Sequence, residues 1–207
     1  MDLTERCNKI FNCFDGSDER NCDLIEIDKE TYRKILPPVS ESNKTIIEVT
    51  LKIKKIDEID EILMKFHAEV KVVLHWRDPR ITFKNLANGG NFLDKFWQDQ
   101  IWLPPLFYSN TENNIKILST DNIVVEVQRE GNGKPNPVAD LDEGKKYKGD
   151  ENDIVLSAYH DDFFYCSFDL SEFPFDSQKC DITIKIPKEI KDYITLQPNN
   201  LTYTGKI

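Results

Sequence analysis

The chain has 207 residues, of which 39% are hydrophobic and 31% charged, a balance typical of a folded domain and not of a disordered chain. Its 37 acidic and 27 basic residues give a net charge of −10. A surface of that sign repels phosphate backbones and no basic stripe offsets it, which excludes nucleic acid as a partner. No run approaches the ~20 apolar residues of a membrane-spanning helix, so the sequence predicts one core with a small module beside it.

The first predicted element follows a cysteine-rich stretch that occupies residues 1–22. From Asp23 to Leu36 apolar residues recur at positions 24, 25, 32, 35 and 36, and Pro37-Pro38 follows. A residue before proline is pushed out of the helical region. The pattern therefore predicts a short amphipathic helix at 23–36.

From Thr45 onwards the hydrophobic period changes to two. Apolar and polar residues alternate over 47–53, 66–76, 123–127 and 182–186. Side chains of a strand point alternately to two faces, so each run buries one face and leaves the other open. Strands divided by Pro, Gly and Asn turns predict a mostly β fold, an antiparallel β-sandwich.

The segment Gly131–Asp153 interrupts the strands with glycine, proline and alternating charges. We expect a solvated surface loop. Because it is longer than usual connections, a contact with a neighbouring subunit is the alternative.

Cys166 and Cys180 enclose 13 residues. A disulfide closing such a loop contributes about 3 kcal/mol in the chain-entropy model. The spacing of the two cysteines alone indicates no more than a structural disulfide in a β-sandwich.

The interior of this loop resembles the signature loop of Cys-loop receptors, the pentameric ligand-gated ion channels. The matching positions are Asp169, Leu170, Phe173, Pro174, Asp176 and Gln178. The resemblance implies a cis Phe173–Pro174 bond and a coupling loop that faces the membrane domain and passes on the change that opens the pore. We assign this role to Phe173, Pro174, Phe175 and Asp176, and expect Phe168, Phe173 and Phe175 to pack on a partner.

The resemblance continues outside the loop, from about Tyr32 to Ile207. Residues 76–80 resemble the W-X-D-X-R-L segment of the family, with Ile81 in place of leucine, and residues 96–104 resemble the run into I-W-X-P-D, with Pro105 in place of aspartate. This implies a ligand-binding domain of the Cys-loop ectodomain type over 23–207. In the family that domain continues through further strands, so we expect the sequence to be truncated before the last strands.

The N-terminal cysteines resemble the back half of an LDL-receptor class A module, which we assign to residues 1–22. Cys7, Cys13 and Cys22 leave five and eight residues between them, around a D-G-S-D-E run. The module's connectivity implies a Cys7–Cys22 bridge.

Such modules hold calcium, a hard cation that takes six or more oxygen ligands. Carried over by position, the ligands are Asn8, Asn12, Asp18 and Glu19. The family prefers aspartate where the two asparagines stand, and lost charge weakens affinity. Weak calcium binding and a metal-free acidic turn therefore both stay open. No other cofactor is expected.

In the family, agonists bind between subunits in a box of aromatic side chains. Carried over, one side of the site holds Lys71, Val73 and His75, and the other holds Tyr108, Ser109 and Tyr193. Amine-binding members carry aromatic residues where Lys71 and Ser109 stand, and a lysine repels a cation but pairs with a carboxylate. The sequence therefore favours an acidic or neutral ligand at least as much as an amine. For Lys71 itself, the alternative is a solvated strand lysine that contacts no ligand. We expect Trp76, Asp78 and Arg80 to be structural.

The resemblance implies the extracellular part of a pentameric channel in the cell membrane, built from identical or related subunits that bind a small molecule. A secreted binding protein of the same fold is the alternative, and the apolar tip at 173–175 favours the channel. An enzyme is not expected, because His67, His75 and His160 lie beside no nucleophile motif.

Overall fold

A computed structural model of the chain describes residues 12–16, 23–39, 44–88, 90–130 and 145–203. The strands within these ranges are β1 (Ile25–Ile27), β2 (Thr45–Asp60), β3 (Lys65–Trp76), β4 (Ile81–Lys84), β5 (Asn91–Phe92), β6 (Phe107–Tyr108), β7 (Ile123–Gln128), β8 (Lys146–Lys148), β9 (Asp153–Tyr165), β10 (Ile184–Lys185) and β11 (Ile194–Tyr203). The helices are short: α1 (Lys95–Gln98) and two 3₁₀ turns, Ile117–Ser119 and Lys188–Tyr193. The predicted mostly β fold is confirmed.

The largest sheet has six strands in the order β11-β2-β3-β9-β7-β5. Along β3 every second residue is buried, from Phe66 to Trp76, which confirms the alternation predicted for this run. All pairings in this sheet are antiparallel except one, because β11 runs parallel to β2. The expected purely antiparallel arrangement is wrong at this edge. A parallel neighbour needs a long connection, and here the chain passes through β3 to β10 before β11 joins β2.

Two smaller sheets complete the fold, β1-β4-β8 and β10-β6. Aromatic contacts hold the large sheet to its neighbours: Trp76 of β3 meets Trp102, in the segment before β6, edge-on at 6.2 Å between ring centroids, and Tyr108 of β6 meets Phe164 of β9 at 5.4 Å. An apolar groove of about 420 Å³ lies between β2, β11 and the segment that contains Ile182 and Ile184.

The helix expected at 23–36 is wrong. Ile25 is buried in β1, which pairs with β4, and the Asp28 carboxylate then accepts hydrogen bonds from the Glu30 N–H and the Thr31 hydroxyl at 3.0 and 2.9 Å. An aspartate that binds the backbone two residues later turns the chain and competes with a helix.

The loop expected at 131–153 is wrong for its last part. Residues 131–144 lie outside the described residues, but β8 pairs with β4 and buries Tyr147. The Gly149 N–H donates to the Ile81 carbonyl at 2.9 Å, and β9 begins at Asp153. Of the strand expected at 182–186, only Ile184 and Lys185 form one, β10, which pairs with β6.

The W-X-D-X-R segment closes the turn between β3 and β4. Asp78 has no exposed area and accepts hydrogen bonds from Arg80 Nε and Nη2 at 2.8 and 2.7 Å. Arg80 Nη1 also donates to the Leu36 carbonyl at 3.0 Å, and its guanidinium lies 4.5 Å from the Tyr32 ring centroid. Asp78 and Arg80 thus connect the N-terminal segment to the large sheet, which is the structural role predicted for them.

Candidate functional site: a polar sheet face and a disulfide loop

The outer face of the large sheet carries three of the predicted ligand-binding residues. Lys71, Val73 and His75 alternate with buried residues along β3, so all three lie on the open face and are partly exposed. Alternation places them there because β3 is the centre of the β2-β3-β9 ribbon and its other face forms the core.

Tyr159 of β9 lies beside Lys71 in register, and Lys52 of β2 lies on the other side of Lys71. The ammonium groups of Lys54 and Lys71 are 4.2 and 5.1 Å from the centroid of the Tyr159 ring. Lys71 first, and then Lys54 and Lys52, lower the pKa of the Tyr159 phenol. The face therefore concentrates positive charge at one point of an acidic chain.

His75 borders a second polar region at the end of β3. Its Nδ1 is 4.0 Å from Asp153 Oδ2, and Arg77 binds Asp153 at 2.5 Å and Glu130 at 2.6 Å. A cavity of about 370 Å³ opens beside these side chains and is also lined by Glu48. The hydrogen bond to Asp153 raises the pKa of the Arg77 guanidinium.

The other three predicted ligand-binding residues are placed elsewhere. Tyr108 has no exposed area and its ring lies in the core, 5.1 Å from the ring of His160. Ser109 follows β6, where its N–H donates to the Thr183 carbonyl at 2.9 Å, and Tyr193 is exposed at the end of a 3₁₀ turn. Of this group, Tyr108 packs on the core face of the large sheet, opposite to the face that carries Lys71, Val73 and His75.

Sequence reasoning missed two clusters on the open face. Lys52, Lys54 and Tyr159 are one cluster, and the other centres on His67, whose Nδ1 is 2.7 Å from Asp57 Oδ1 and whose Nε2 is 3.2 Å from Asp161 Oδ1. The alternation along each strand predicts which side chains lie on the open face. It does not predict which of them are neighbours, because the members of each cluster come from strands that are distant in sequence.

The loop from Cys166 to Cys180 is closed by a disulfide, with 5.3 Å between the Cα atoms, and the Phe173–Pro174 bond is cis as the resemblance implied. Gln178 holds the loop together. It accepts from the Asp169 N–H at 2.9 Å, and its amide donates to the Asp169 carbonyl at 2.7 Å and to Asp176 Oδ2. The signature polar residues thus bind one another across the loop.

The tip of the disulfide loop is apolar and exposed. Phe173 is 63% and Phe175 91% exposed. The expectation that Phe168 would also pack on a partner is wrong, because it is buried in the core. A side chain that close to Cys166 lies at the base of the loop, not at its tip.

A second apolar tip lies beside the loop, at the β2–β3 turn. Ile62, Leu63 and Met64 are exposed there, and the Met64 carbonyl accepts a hydrogen bond from the Cys166 N–H at 2.9 Å. The two tips therefore belong to one end of the molecule. Exposed apolar patches of this kind mark contact surfaces.

The described residues contain no group of three or more His, Cys, Asp or Glu side chains placed to hold a metal ion. Nor does any helix in the described ranges have the length and apolar character needed to cross a lipid bilayer. Cys7, Cys22, Asn8, Asp18 and Glu19 lie outside the described residues, and of the expected calcium ligands only Asn12 is described, in a short exposed turn. The calcium site and the module at 1–22 stay predictions.

The sequence profile of the neurotransmitter-gated ion-channel ligand binding domain matches residues 22–141, more than half of the chain. The chain belongs to this family. As a member of the neurotransmitter-gated channel family it is not an enzyme. The match begins at residue 22, so nearly all of the expected LDL-receptor module stands outside it.

Relatives of this family member include gamma-aminobutyric acid receptor subunits. It is 24% identical to subunit rho-1 of Homo sapiens over 161 residues, which cover 77% of this chain and 28% of that protein. It is 24% identical to subunit rho-2 of Mus musculus and 22% identical to subunit rho-3 of Rattus norvegicus, each over 140 residues, 67% of this chain and 26% of the relative. The chain thus spans less than a third of the length of these relatives.

Proposed function

We propose that this domain is the extracellular ligand-binding part of a pentameric ligand-gated ion channel. It binds a small molecule at the interfaces between subunits and passes the signal to the pore through the Cys166–Cys180 loop. The observation that carries the proposal is the exposed apolar end formed by the disulfide loop and the β2–β3 tip, on a chain that belongs to the neurotransmitter-gated channel family.

The exposure of that end supports the proposed coupling role. Phe173 and Phe175 are exposed although the loop is held rigidly by its disulfide and by Gln178. Two phenylalanines exposed to water at a loop tip do not stabilise the fold. Burying each of them against a partner would contribute roughly 2 kcal/mol to the association. A membrane domain that meets this end gives them that partner.

The intersubunit ligand site is supported by the separation of the two groups of predicted residues. Lys71, Val73 and His75 lie on the open sheet face, whereas Ser109 and Tyr193 lie on other segments. Two copies of the chain are needed to bring such groups to one ligand. The relatives are named as receptor subunits for gamma-aminobutyric acid, which makes that amino acid the first ligand to test.

The test is electrophysiology of the full-length protein in oocytes with a panel of amino acids and amines. We expect currents evoked by one small ligand. Phe175→Ser should reduce the maximal current severalfold while leaving binding of that ligand within about twofold. Phe92→Ser, which alters an exposed phenylalanine on a distant edge strand, serves as the control. Equal losses in both variants would contradict a coupling role.

The second candidate is a secreted binding protein of the same fold without a pore. It is favoured by the polar groups of the open sheet face, whose ion pairs and lysine contacts involve no residue of the apolar end. A full-length transcript that encodes no membrane-spanning segments, with protein released into the medium, would decide for it and against the channel.

A further inference from the structure

Strand β11 contains Asn200, Leu201 and Thr202, an Asn-X-Thr triplet of the kind that accepts N-linked oligosaccharides in secreted proteins. A second triplet begins at Asn43, which lies outside the described residues, and ends at Thr45. Such triplets arise often by chance. The surroundings of their side chains therefore decide whether one of them is an acceptor.

The two triplets differ in what the threonine hydroxyl does for the fold. Thr45 is buried and its hydroxyl donates a hydrogen bond to the Pro38 carbonyl, so the fold alone explains this residue. The Thr202 hydroxyl is also buried, but it has no hydrogen-bond partner in the described part of the chain. A buried hydroxyl without a partner is destabilising, and a valine, which has the same shape, would avoid that cost. Recognition of the triplet accounts for a threonine that the fold does not need.

The side-chain amide of Asn200 is available for modification. Asn200 is exposed and forms no side-chain hydrogen bond with the described residues. Its neighbour Asn199 is exposed too, but Asn199 Nδ2 donates to Glu48 Oε2 at 2.9 Å. A sugar on Asn200 Nδ2 therefore replaces no hydrogen bond of the fold, whereas one on Asn199 would.

The edge of the sheet beside Asn200 is open. β11 is the last strand of the six-stranded sheet, and within the described ranges its outer edge pairs with no other strand. Leu201, on this strand, is 69% exposed. An open edge strand that carries apolar side chains pairs with other chains unless something covers it. A hydrated oligosaccharide on Asn200 has room at this edge and would cover it.

The order of folding leaves time for the modification. β11 joins β2 across most of the chain, since Asn199 and its partner Glu48 are 151 positions apart. Pairings between such distant segments form late, because the closure of the intervening chain costs entropy. The triplet is therefore accessible to a transferase before the Thr202 hydroxyl is buried.

We propose that Asn200 is N-glycosylated and that its oligosaccharide covers the outer edge of β11. The donor is an oligosaccharide linked to a lipid diphosphate. Asn200 Nδ2 forms a bond to the anomeric carbon of the first sugar, the bond from that carbon to the diphosphate oxygen breaks, and the lipid diphosphate leaves with the electron pair while the amide loses one proton to solvent. The inference rests on the extracellular placement in the proposed function, because the transfer occurs in the secretory pathway.

The test is mass spectrometry of the full-length protein made in oocytes. Peptide-N-glycosidase in ¹⁸O-water converts a glycosylated asparagine to labelled aspartate, and trypsin releases the peptide 192–206. We expect the label at Asn200 in the wild type, in Thr202→Ser and in the neighbouring control Asn199→Gln. Thr202→Val should lose the label but keep the urea midpoint of Thr202→Ser, because it removes only an unpaired hydroxyl.

The covering of the edge is measured separately, as the aggregated fraction in size-exclusion chromatography. We expect a severalfold larger fraction for Asn200→Gln than for Asn199→Gln, which keeps the acceptor triplet. Equal fractions would overturn the covering of the edge.

The labelling itself has two outcomes that would overturn the inference. Label in Thr202→Val as strong as in the wild type would show that the triplet is not what is recognised. An unlabelled Asn200 in a protein that gives ligand-evoked currents would exclude the glycan and leave the channel intact. A labelled Asn200 in a protein that gives no current would instead contradict the proposed channel and support the glycan.

Discussion

The Tyr32 hydroxyl donates a hydrogen bond to Asp78 Oδ2 at 3.1 Å and accepts one from the Trp102 N–H at 2.8 Å. One phenol oxygen thereby connects the segment after β1, the turn between β3 and β4, and the segment that leads into β6. Asp78 has no exposed area, so its other contacts come from within the protein, chiefly from Arg80.

Replacement of Tyr32 by phenylalanine should lower the free energy of unfolding by about 1–3 kcal/mol, because a buried N–H and a buried carboxylate oxygen each lose a partner. The measurement is urea unfolding followed by tryptophan fluorescence. Tyr193→Phe, at an exposed position, is the control and should change stability by less than about 0.5 kcal/mol. A cost for Tyr32→Phe no larger than that of the control would show that this connection is not stabilising.

Gly149 is required by a close backbone approach. A Cβ atom added there would lie 2.0 Å from the Asp78 carbonyl oxygen and 2.7 Å from that of Ile81. Because backbone atoms cannot yield without disturbing β4, Gly149→Ala should cost about 3 kcal/mol in urea unfolding. At Gly90 the nearest atom is the end of the Glu126 side chain, which can rotate away. Gly90→Ala should therefore cost less than about 1 kcal/mol, and equal costs would contradict the argument.

The long strands could be predicted from sequence because they are regular. In β3 twelve residues alternate between core and open face, so the period of two is unmistakable. Short strands lack that signal. β8 has three residues, two of them lysines, and only its pairing with β4 makes it a strand. β11 contains Pro198, which is tolerated because β11 is an edge strand and its register shifts there.

The site could be predicted only in part, for a related reason. Alternation placed Lys71 on the open face, but it could not show that Tyr159 stands beside it, since β9 lies far along the chain and register is set by tertiary pairing. The helix expected at 23–36 failed because Asp28 and the pairing of β1 outweighed a weak apolar periodicity.

His160 should make stability depend on pH. Burial lowers the pKa of its imidazole, against the opposing influence of Asp162, whose Oδ2 is 3.9 Å from Nδ1. The unfolded chain therefore takes up the proton first, so stability is complete above about pH 6.5 and is lost as pH falls through the lower folded value. The partly buried Asp162, whose pKa is raised by desolvation, acts in the opposite direction, because its carboxyl takes up a proton in the folded state first. Between pH 7.5 and 5.5 the wild type should therefore lose more stability than His160→Gln.

The measurement for His160 is a series of urea unfolding curves at steps of half a pH unit. The slope of stability against pH is compared between the wild type and His160→Gln, which removes only this buried imidazole. Identical slopes for the wild type and His160→Gln would exclude His160 as the cause.

Tyr108 should make the domain sensitive to alkali. Burial raises the pKa of its phenol, with a further contribution from Asp162, and its hydroxyl has no hydrogen-bond partner among the described residues. A raised folded pKa means that stability is complete below the unfolded value of about 10 and is lost as pH rises above it, by about 1.4 kcal/mol per pH unit. Tyr108→Phe should reduce this slope and, since it removes an unpaired hydroxyl, should be nearly neutral at pH 7. A variant that is strongly destabilised at pH 7 would reveal a partner for the hydroxyl.

The pKa of the Tyr159 phenol reports the positive charge that Lys52, Lys54 and Lys71 place on the open sheet face, and it can be measured without any ligand. Lys71 is the largest cause of the lowered pKa of this phenol, followed by Lys54 and Lys52. The difference between ultraviolet pH titrations of the wild type and of Tyr159→Phe isolates this one tyrosine. In the Lys71→Met background the midpoint should move to higher pH, because the cation that favours the phenolate is gone. Lys65→Met keeps all three lysines and should leave the midpoint unchanged. If Lys71→Met also leaves it unchanged, the Lys71 ammonium does not act on the ring in solution.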